Sequence, residues 1–268
     1  MLETLLPLLT APGGGEPLML ASVSRRDGAE IITACLTDAA GQEYPVEDGI
    51  PRLLPRDLLD AQKSEIMARD AQVEDYDRMA FLNLFGKVEI PLTERHLGAK
   101  SSDRLLEAGC GTGRMTRTLA HSVHELIAMD FSFESLRVNQ RKLRAAGIHN
   151  VHLVQADLCR LPFADTAFDR VVSCQVLEHV PGETARTAAV ASLSRVTQPG
   201  GTLVLSAYQH SVFTRLFAQK EGAHEGGIPY FRFTRQELSE TLSQGFTVEV
   251  ITSRLVYIYL ARCRKNLG

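Results

Sequence analysis

Apolar and polar positions along this chain fall into blocks whose length and period separate strands from helices. From Asp103 onward, short apolar runs alternate with longer mixed stretches. Residues 104–108 predict a buried strand that ends in the glycine-rich turn Gly109-Cys-Gly-Thr-Gly113 and leads into a helix reaching about His121. Residues 125–129 predict a second strand closing on Asp130, and residues 133–146 predict a helix stopped by Gly147. Further strands are predicted at residues 151–155, 168–174 and 201–206, with a helix over residues 183–196. Beyond a helix near residues 235–242, two β-rich runs, 246–252 and 255–263, are separated only by Ser253 and Arg254. They predict a closing antiparallel hairpin. Such alternation implies right-handed crossovers and an α/β fold, its mostly parallel sheet covered by helices on both faces.

The first 57 residues follow another pattern. The break Ala11-Pro-Gly-Gly-Gly-Glu-Pro17, a β-like run at residues 31–36 and the Pro-rich segment of residues 44–55 predict short strands and turns. Residues 58–85 turn helical in composition. The chain is therefore read as a small β-rich N-terminal appendage, residues 1–57, and a main domain, residues 58–268.

Composition narrows the function classes. Of 268 residues, 44% are apolar and 23% charged, which is ordinary for a globular protein and argues against disorder or a coiled coil. The formal net charge of -3 argues against a nucleic-acid partner, which favours a clearly basic chain. The five cysteines (Cys35, Cys110, Cys159, Cys174 and Cys263) form no C-x-x-C pair, so the reading is reduced thiols, a cytoplasmic location and no metal. The apolar start lacks a basic region and is interrupted by Pro7, a poor signal peptide. No stretch reaches the roughly 18 apolar residues of a membrane span, and no membrane partner is expected.

Candidate chemistry gathers where strands end. Doubly wound sheets bind ligands at the carboxyl ends of their strands, near the point where strand order reverses. Glycines at 109, 111 and 113 let a ligand approach the backbone. Arg114 stands where the dinucleotide pattern G-x-G-x-x-G needs a small residue, which opposes an oxidoreductase. Asp130 ends the second strand, where a carboxylate can accept from two ribose hydroxyls or cap the next helix. Asp157, after the third strand, can accept from an exocyclic amino group or simply meet solvent. Three acidic residues ending three successive strands are harder to attribute to chance than one.

Taken together, Glu107-Ala-Gly-Cys-Gly-Thr-Gly113, Asp130-Phe-Ser132, Ala156-Asp-Leu-Cys-Arg-Leu-Pro-Phe163 and Phe168-Asp-Arg-Val-Val-Ser-Cys-Gln-Val-Leu-Glu-His-Val180 resemble the successive motifs of class I S-adenosylmethionine-dependent methyltransferases of type 11. The resemblance covers roughly residues 76–264. It implies a Rossmann-like sheet of seven strands whose last is antiparallel, a transferase activity, and S-adenosyl-L-methionine as cofactor. It implies that Glu107 lies near the methionine part and that Gly109, Cys110, Gly111 and Gly113 line the cofactor loop. Asp130 would hold the ribose and Phe131 the adenine face; Asp157 would meet the adenine amino group and Leu158 would supply a backbone N–H. Gln175 would sit near the methionine end. The physics agrees, because the cofactor carries positive charge at sulfur and at its amino group, and an acidic sheet edge attracts it.

Methyl transfer is an in-line displacement, so alignment matters most, and a base is needed only if the acceptor must lose a proton. His179, in Glu178-His179-Val180, is the candidate for that base, beside a purely structural reading of the dipeptide. Acceptor selection is expected in the segments covering the sheet edge: the helical run at Tyr76, and the insertion over residues 208–233 with Tyr208, His210, Tyr230 and Arg232. The expected acceptor is a small molecule, a metabolite or natural-product precursor. The alternatives are an RNA-directed methyltransferase using the N-terminal segment for recognition and a non-catalytic cofactor-binding protein. The exposed hairpin edge suits a homodimer. Residues 44–54 also resemble the end of a small zinc-ribbon-like domain, but Thr37 and Ala40 stand where its paired cysteines belong, and its fold is expected without metal.

Overall fold

The computed structural model describes residues 1–267 apart from 77–79, 213, 225–226 and 256; the side chains at 60, 61, 72, 74–76, 80–86, 215, 254 and 255 also lie outside the description. Four strands, β1 (Met19–Asp27), β2 (Glu30–Thr37), β3 (Glu43–Glu47) and β4 (Ile50–Leu53), precede the helices α1 (Asp60–Tyr76) and α2 (Ala80–Leu97). The α/β part then runs β5 (Arg104–Ala108), α3 (Thr116–Ala120), β6 (Glu125–Asp130), α4 (Phe133–Ala145), β7 (Val151–Ala156), β8 (Phe168–Cys174), α5 (Glu183–Val196) and β9 (Thr197–Tyr208). A small hairpin, β10 (Glu221–Ala223) and β11 (Pro229–Phe231), leads through α6 (Arg235–Ser243) to β12 (Thr247–Leu255) and β13 (Ile258–Arg264).

The strand order is β1-β2-β3-β4-β7-β6-β5-β8-β9-β13-β12. From β7 to β12 this is the expected seven-stranded sheet, parallel except for β13, which runs antiparallel to both β9 and β12. The whole sheet is larger, with eleven strands. The N-terminal strands continue it because β4 pairs in parallel with β7, Arg52 opposite Gln155 and Leu53 opposite Ala156. The contact that joins the appendage to the rest is long-range, so no local pattern foretells it. The helical run also differs from expectation. It divides into two helices, and the second continues past Pro91 to Leu97.

Side chains alternate across the sheet, and that period of two makes two cores. Leu106, Ala108, Ile127, Met129, Val154 and Ala156 face α5, α6 and the N-terminal segment. Leu105, Leu126, Ala128, Leu153, Val172 and Val204 face α2, α3 and α4. Leu106 and Leu126 are fully buried; truncating either to Ala costs about 2–5 kcal/mol. These apolar layers leave the polar residues for the strand ends, and β5 is flanked by β6 on one side and β8 on the other, where the order reverses.

The N-terminal segment is strapped to the main sheet at a second place. Thr10 donates its N–H to Pro162 O (3.0 Å), Ala164 to Leu8 O (2.9 Å) and Gly13 to Arg160 O (3.1 Å). Residues 8–13 thus lie along the loop that follows Asp157.

Candidate active site

The glycine turn after β5 is shaped by close approach. A Cβ on Gly109 would fall 2.2 Å from Val176 Cγ2, and one on Gly113 would fall 2.1 Å from Asn139 Oδ1. Both glycines also have positive φ, 86° and 89°, a region that side chains rarely adopt. The turn is pinned to β6 through Gly109 and Cys110, whose N–H groups both donate to Met129 O (2.8 and 2.9 Å). The Cys110 thiol itself turns inward, accepting from Asn139 Nδ2 at 3.6 Å, and burial pushes its pKa well above the usual value. Only its backbone can serve a ligand.

Glu107, Asp130 and Asp157 stand at or just past the ends of the adjacent parallel strands β5, β6 and β7. Glu107 is buried, and its Oε2 has no hydrogen-bond partner. Burial pushes its carboxyl up to about 8, against the lowering effects of the Thr116 hydroxyl and the Arg114 guanidinium. An anion without a partner in so dry a place is costly unless a cation arrives. Asp130 accepts from Gly111 N–H (2.7 Å) and Ser132 N–H (2.9 Å), which leaves lone pairs on both oxygens for further donors. Burial raises its pKa. Asp157 accepts from Cys159 N–H (2.8 Å) and Gln62 Nε2 (3.3 Å). Phe131 is half-buried at the end of β6, and Leu158 is buried at the start of a short turn.

At the end of β8 the chain turns sharply. Gln175 has φ 59°, donates its N–H to Ser206 O at 3.0 Å, and donates Nε2 to both oxygens of Glu89 (3.1 and 2.9 Å). The next turn, Leu177–His179, carries Glu178 and His179. Glu178 is buried, and burial pushes its carboxyl up to about 8, against the lowering effects of the Glu178 and Tyr208 backbone N–H groups. The His179 Nδ1 lies 2.8 Å from Pro229 O. A carbonyl only accepts, so Nδ1 carries the hydrogen and Nε2 the lone pair. Burial, with the Arg69 charge nearby, pulls this imidazole down to about 3, and it stays neutral at physiological pH.

Around His179 the insertion folds into a ring cluster. Tyr208 and His224 lie 5.7 and 5.5 Å from the His179 centroid, and Tyr230 lies 4.8 Å from His224. The Arg232 guanidinium sits 5.1 Å from the Tyr208 ring centre and 5.3 Å from that of Tyr230, a cation–π arrangement. Of the acceptor residues expected from sequence, Tyr208, Tyr230 and Arg232 come together. His210 follows two residues after Tyr208, its N–H donating to Phe233 O at 2.6 Å. The Tyr76 side chain lies outside the described residues.

Other residues at the site were not legible beforehand. Helix α1 crosses the strand ends, where Asp70 accepts from Ser132 Oγ and from Glu134 N–H. Arg69 is clamped by Glu65 at 2.6 Å. Helix α2 contributes Glu89. Both helices carry charges among charges, and nothing in the local pattern separates one buried carboxylate from its solvated neighbours.

Residues 106–205 match the model of the methyltransferase domain. The demethylmenaquinone methyltransferase of Geobacillus stearothermophilus is 30% identical over 156 residues, 57% of this chain and 62% of that protein. The ubiquinone/menaquinone biosynthesis C-methyltransferase of Vibrio vulnificus is 37% identical over 123 residues, 44% of this chain and 46% of its own length. The chain thus spans less than two thirds of these curated relatives. Among solved structures, the DhpI–SAH complex superposes with a TM-score of 0.61 at 24% identity, covering 77% of this chain and 98% of that one. The matched span, residues 106–205, contains Glu107, Asp130 and Asp157. Among the described residues, no helix is long and apolar enough to cross a membrane, and no group of three or more His, Cys, Asp or Glu is arranged to hold a metal.

Proposed function

We propose that this protein is an S-adenosylmethionine-dependent methyltransferase acting on a small, planar acceptor. The observation that carries the reading is the buried Glu107 Oε2, without a partner, beside Asp130 at the reversal of strand order. A dry carboxylate there fits the ammonium of a bound methionine moiety. In this reading Asp130 holds the ribose hydroxyls, Asp157 and the Leu158 N–H meet the adenine edge, and Phe131 packs on its face. The backbone of Gly109, Cys110, Gly111 and Gly113 follows the cofactor, which supplies an electrophilic methyl on a sulfonium.

The chain's task is alignment. Tyr208, Tyr230 and His224 offer flat apolar faces to a ring, and Arg232 offers a cation to an oxygen developing charge. A His179 pulled to about 3 is too weak a base to remove a phenolic proton by itself. We assign its Nε2 the role of accepting a hydrogen bond that orients the acceptor. The names of the relatives, which concern quinone methylation, agree with a planar ring. The surface of the N-terminal segment supports a small molecule over RNA: its Arg25 and Arg26 each have a carboxylate within 4 Å, at 3.9 and 2.5 Å, as does the neighbouring Arg144 of α4, 3.6 Å from Glu30. We propose that residues 1–57 are a sheet-extending unit and residues 58–268 the catalytic unit.

Titration calorimetry tests the assignment. S-adenosylmethionine and its demethylated product bind the protein, and Asp130→Ala weakens both by about 1–3 kcal/mol, the cost of stranding a buried polar group. Unchanged affinity in that variant rejects the ribose role.

A further inference from the structure

Glu89 lies on α2, fully buried, and the cofactor reading above gives it no role. It nevertheless joins three parts of the site. Its carboxylate lies 2.7 Å from Arg114 Nη1, the residue that leaves the glycine turn. It accepts from Ser206 Oγ at 2.9 Å, on the strand next to β8. It also accepts from Gln175 Nε2 through both of its oxygens.

The chemistry of that last contact is directional. A carboxylate beside a guanidinium only accepts, so the amide group it faces must be the NH2. The Gln175 side chain is therefore held with its Oε1 on the side away from Glu89, as an acceptor.

We infer that Glu89 is a positioning residue for the methionine end of the cofactor, fixing the Gln175 amide so that Oε1 accepts from the cationic moiety and tying Arg114 of the glycine turn to the same anchor. The inference rests on the proposed cofactor site and extends it to a helix outside the family motifs.

A double-mutant cycle on the full-length chain, read by calorimetric affinity for S-adenosylmethionine, tests it. Gln175→Ala weakens binding about tenfold, the worth of one hydrogen bond to a charged group, and Glu89→Gln, which lets the amide turn over, about fivefold to tenfold. In the Gln175→Ala background Glu89→Gln costs nothing further, since the group it positions is gone. A merely structural glutamate lowers affinity by the same factor in both backgrounds, and that result overturns the inference, as does normal binding by Glu89→Gln or by Gln175→Ala alone. Should Glu89→Gln not fold, Glu89→Asp, which keeps the charge toward Arg114 but withdraws it from Gln175, goes through the same cycle. Asp130→Ala is the reference: if it too binds normally, the cofactor site itself is wrong, and the failure is traced there.

Discussion

Glu107 holds a carboxyl group where water cannot reach it, and its behaviour with pH follows. With its pKa near 8 in the ligand-free protein, the group is mostly protonated at neutral pH. Binding a cation requires the ionised form. Affinity for the cofactor therefore rises with pH toward 8, by up to about tenfold per unit for one released proton, and levels off above it. Calorimetry from pH 6 to 9 measures this; a flat profile dismisses Glu107 as the ammonium partner. The same shift bears on folding. A carboxyl raised from 4.5 to about 8 favours the native state fully below the lower value, and that contribution is lost as pH climbs through the upper one. Glu107→Gln relieves the loss, so the ligand-free variant melts above its parent at pH 9, by roughly 2–4 °C for each kcal/mol relieved. At pH 4 the difference closes. A variant melting lower at pH 9 counts against a dry, strained carboxylate.

The elements differ in how openly the chain announces them. Parallel strands buried on both faces read as unbroken apolar runs, so Leu105-Leu106 and Leu126 to Met129 declared β5 and β6, and the acidic residues at their ends were legible as strand-end positions. The insertion declared only its aromatics. That Tyr208 and His224 meet His179, with Tyr230 packed on both of them, depends on the small β10–β11 hairpin and on a hydrogen bond from His179 to Pro229 O, fifty positions away. Neither has a local signal. Strand β1 was missed for another reason: its residues are almost all exposed on both faces, so no alternation marks it. The ring cluster carries its own prediction. Tyr230→Ala lowers turnover of the true acceptor by about tenfold or more, as expected for a lost orienting contact, while leaving cofactor affinity within twofold. Turnover at the parent rate removes the insertion from the acceptor site.

Across the whole molecule, the decisive join is between β4 and β7. Without residues 1–57 the β7 edge would present open N–H and C=O groups, and Leu5, Leu9, Leu36 and Leu53, all fully buried, would leave a core exposed beneath. A fragment of residues 58–268 is expected to aggregate rather than fold as a stable monomer. A soluble, cooperatively melting fragment disproves that dependence. The zinc-ribbon likeness of this segment led to an expectation of strands without metal, and metal analysis of the purified protein is the check, with one zinc per chain the outcome that overturns it.

The strap of residues 8–13 along residues 160–164 ties the fate of two distant stretches together. The loop that carries Asp157 cannot swing outward without breaking backbone bonds to the opening segment of the chain, so detachment at one place is detachment at the other. Saturation with nucleoside ligand should consequently slow amide exchange at Thr10 and Gly13, far along the chain from the carboxylates that would hold it.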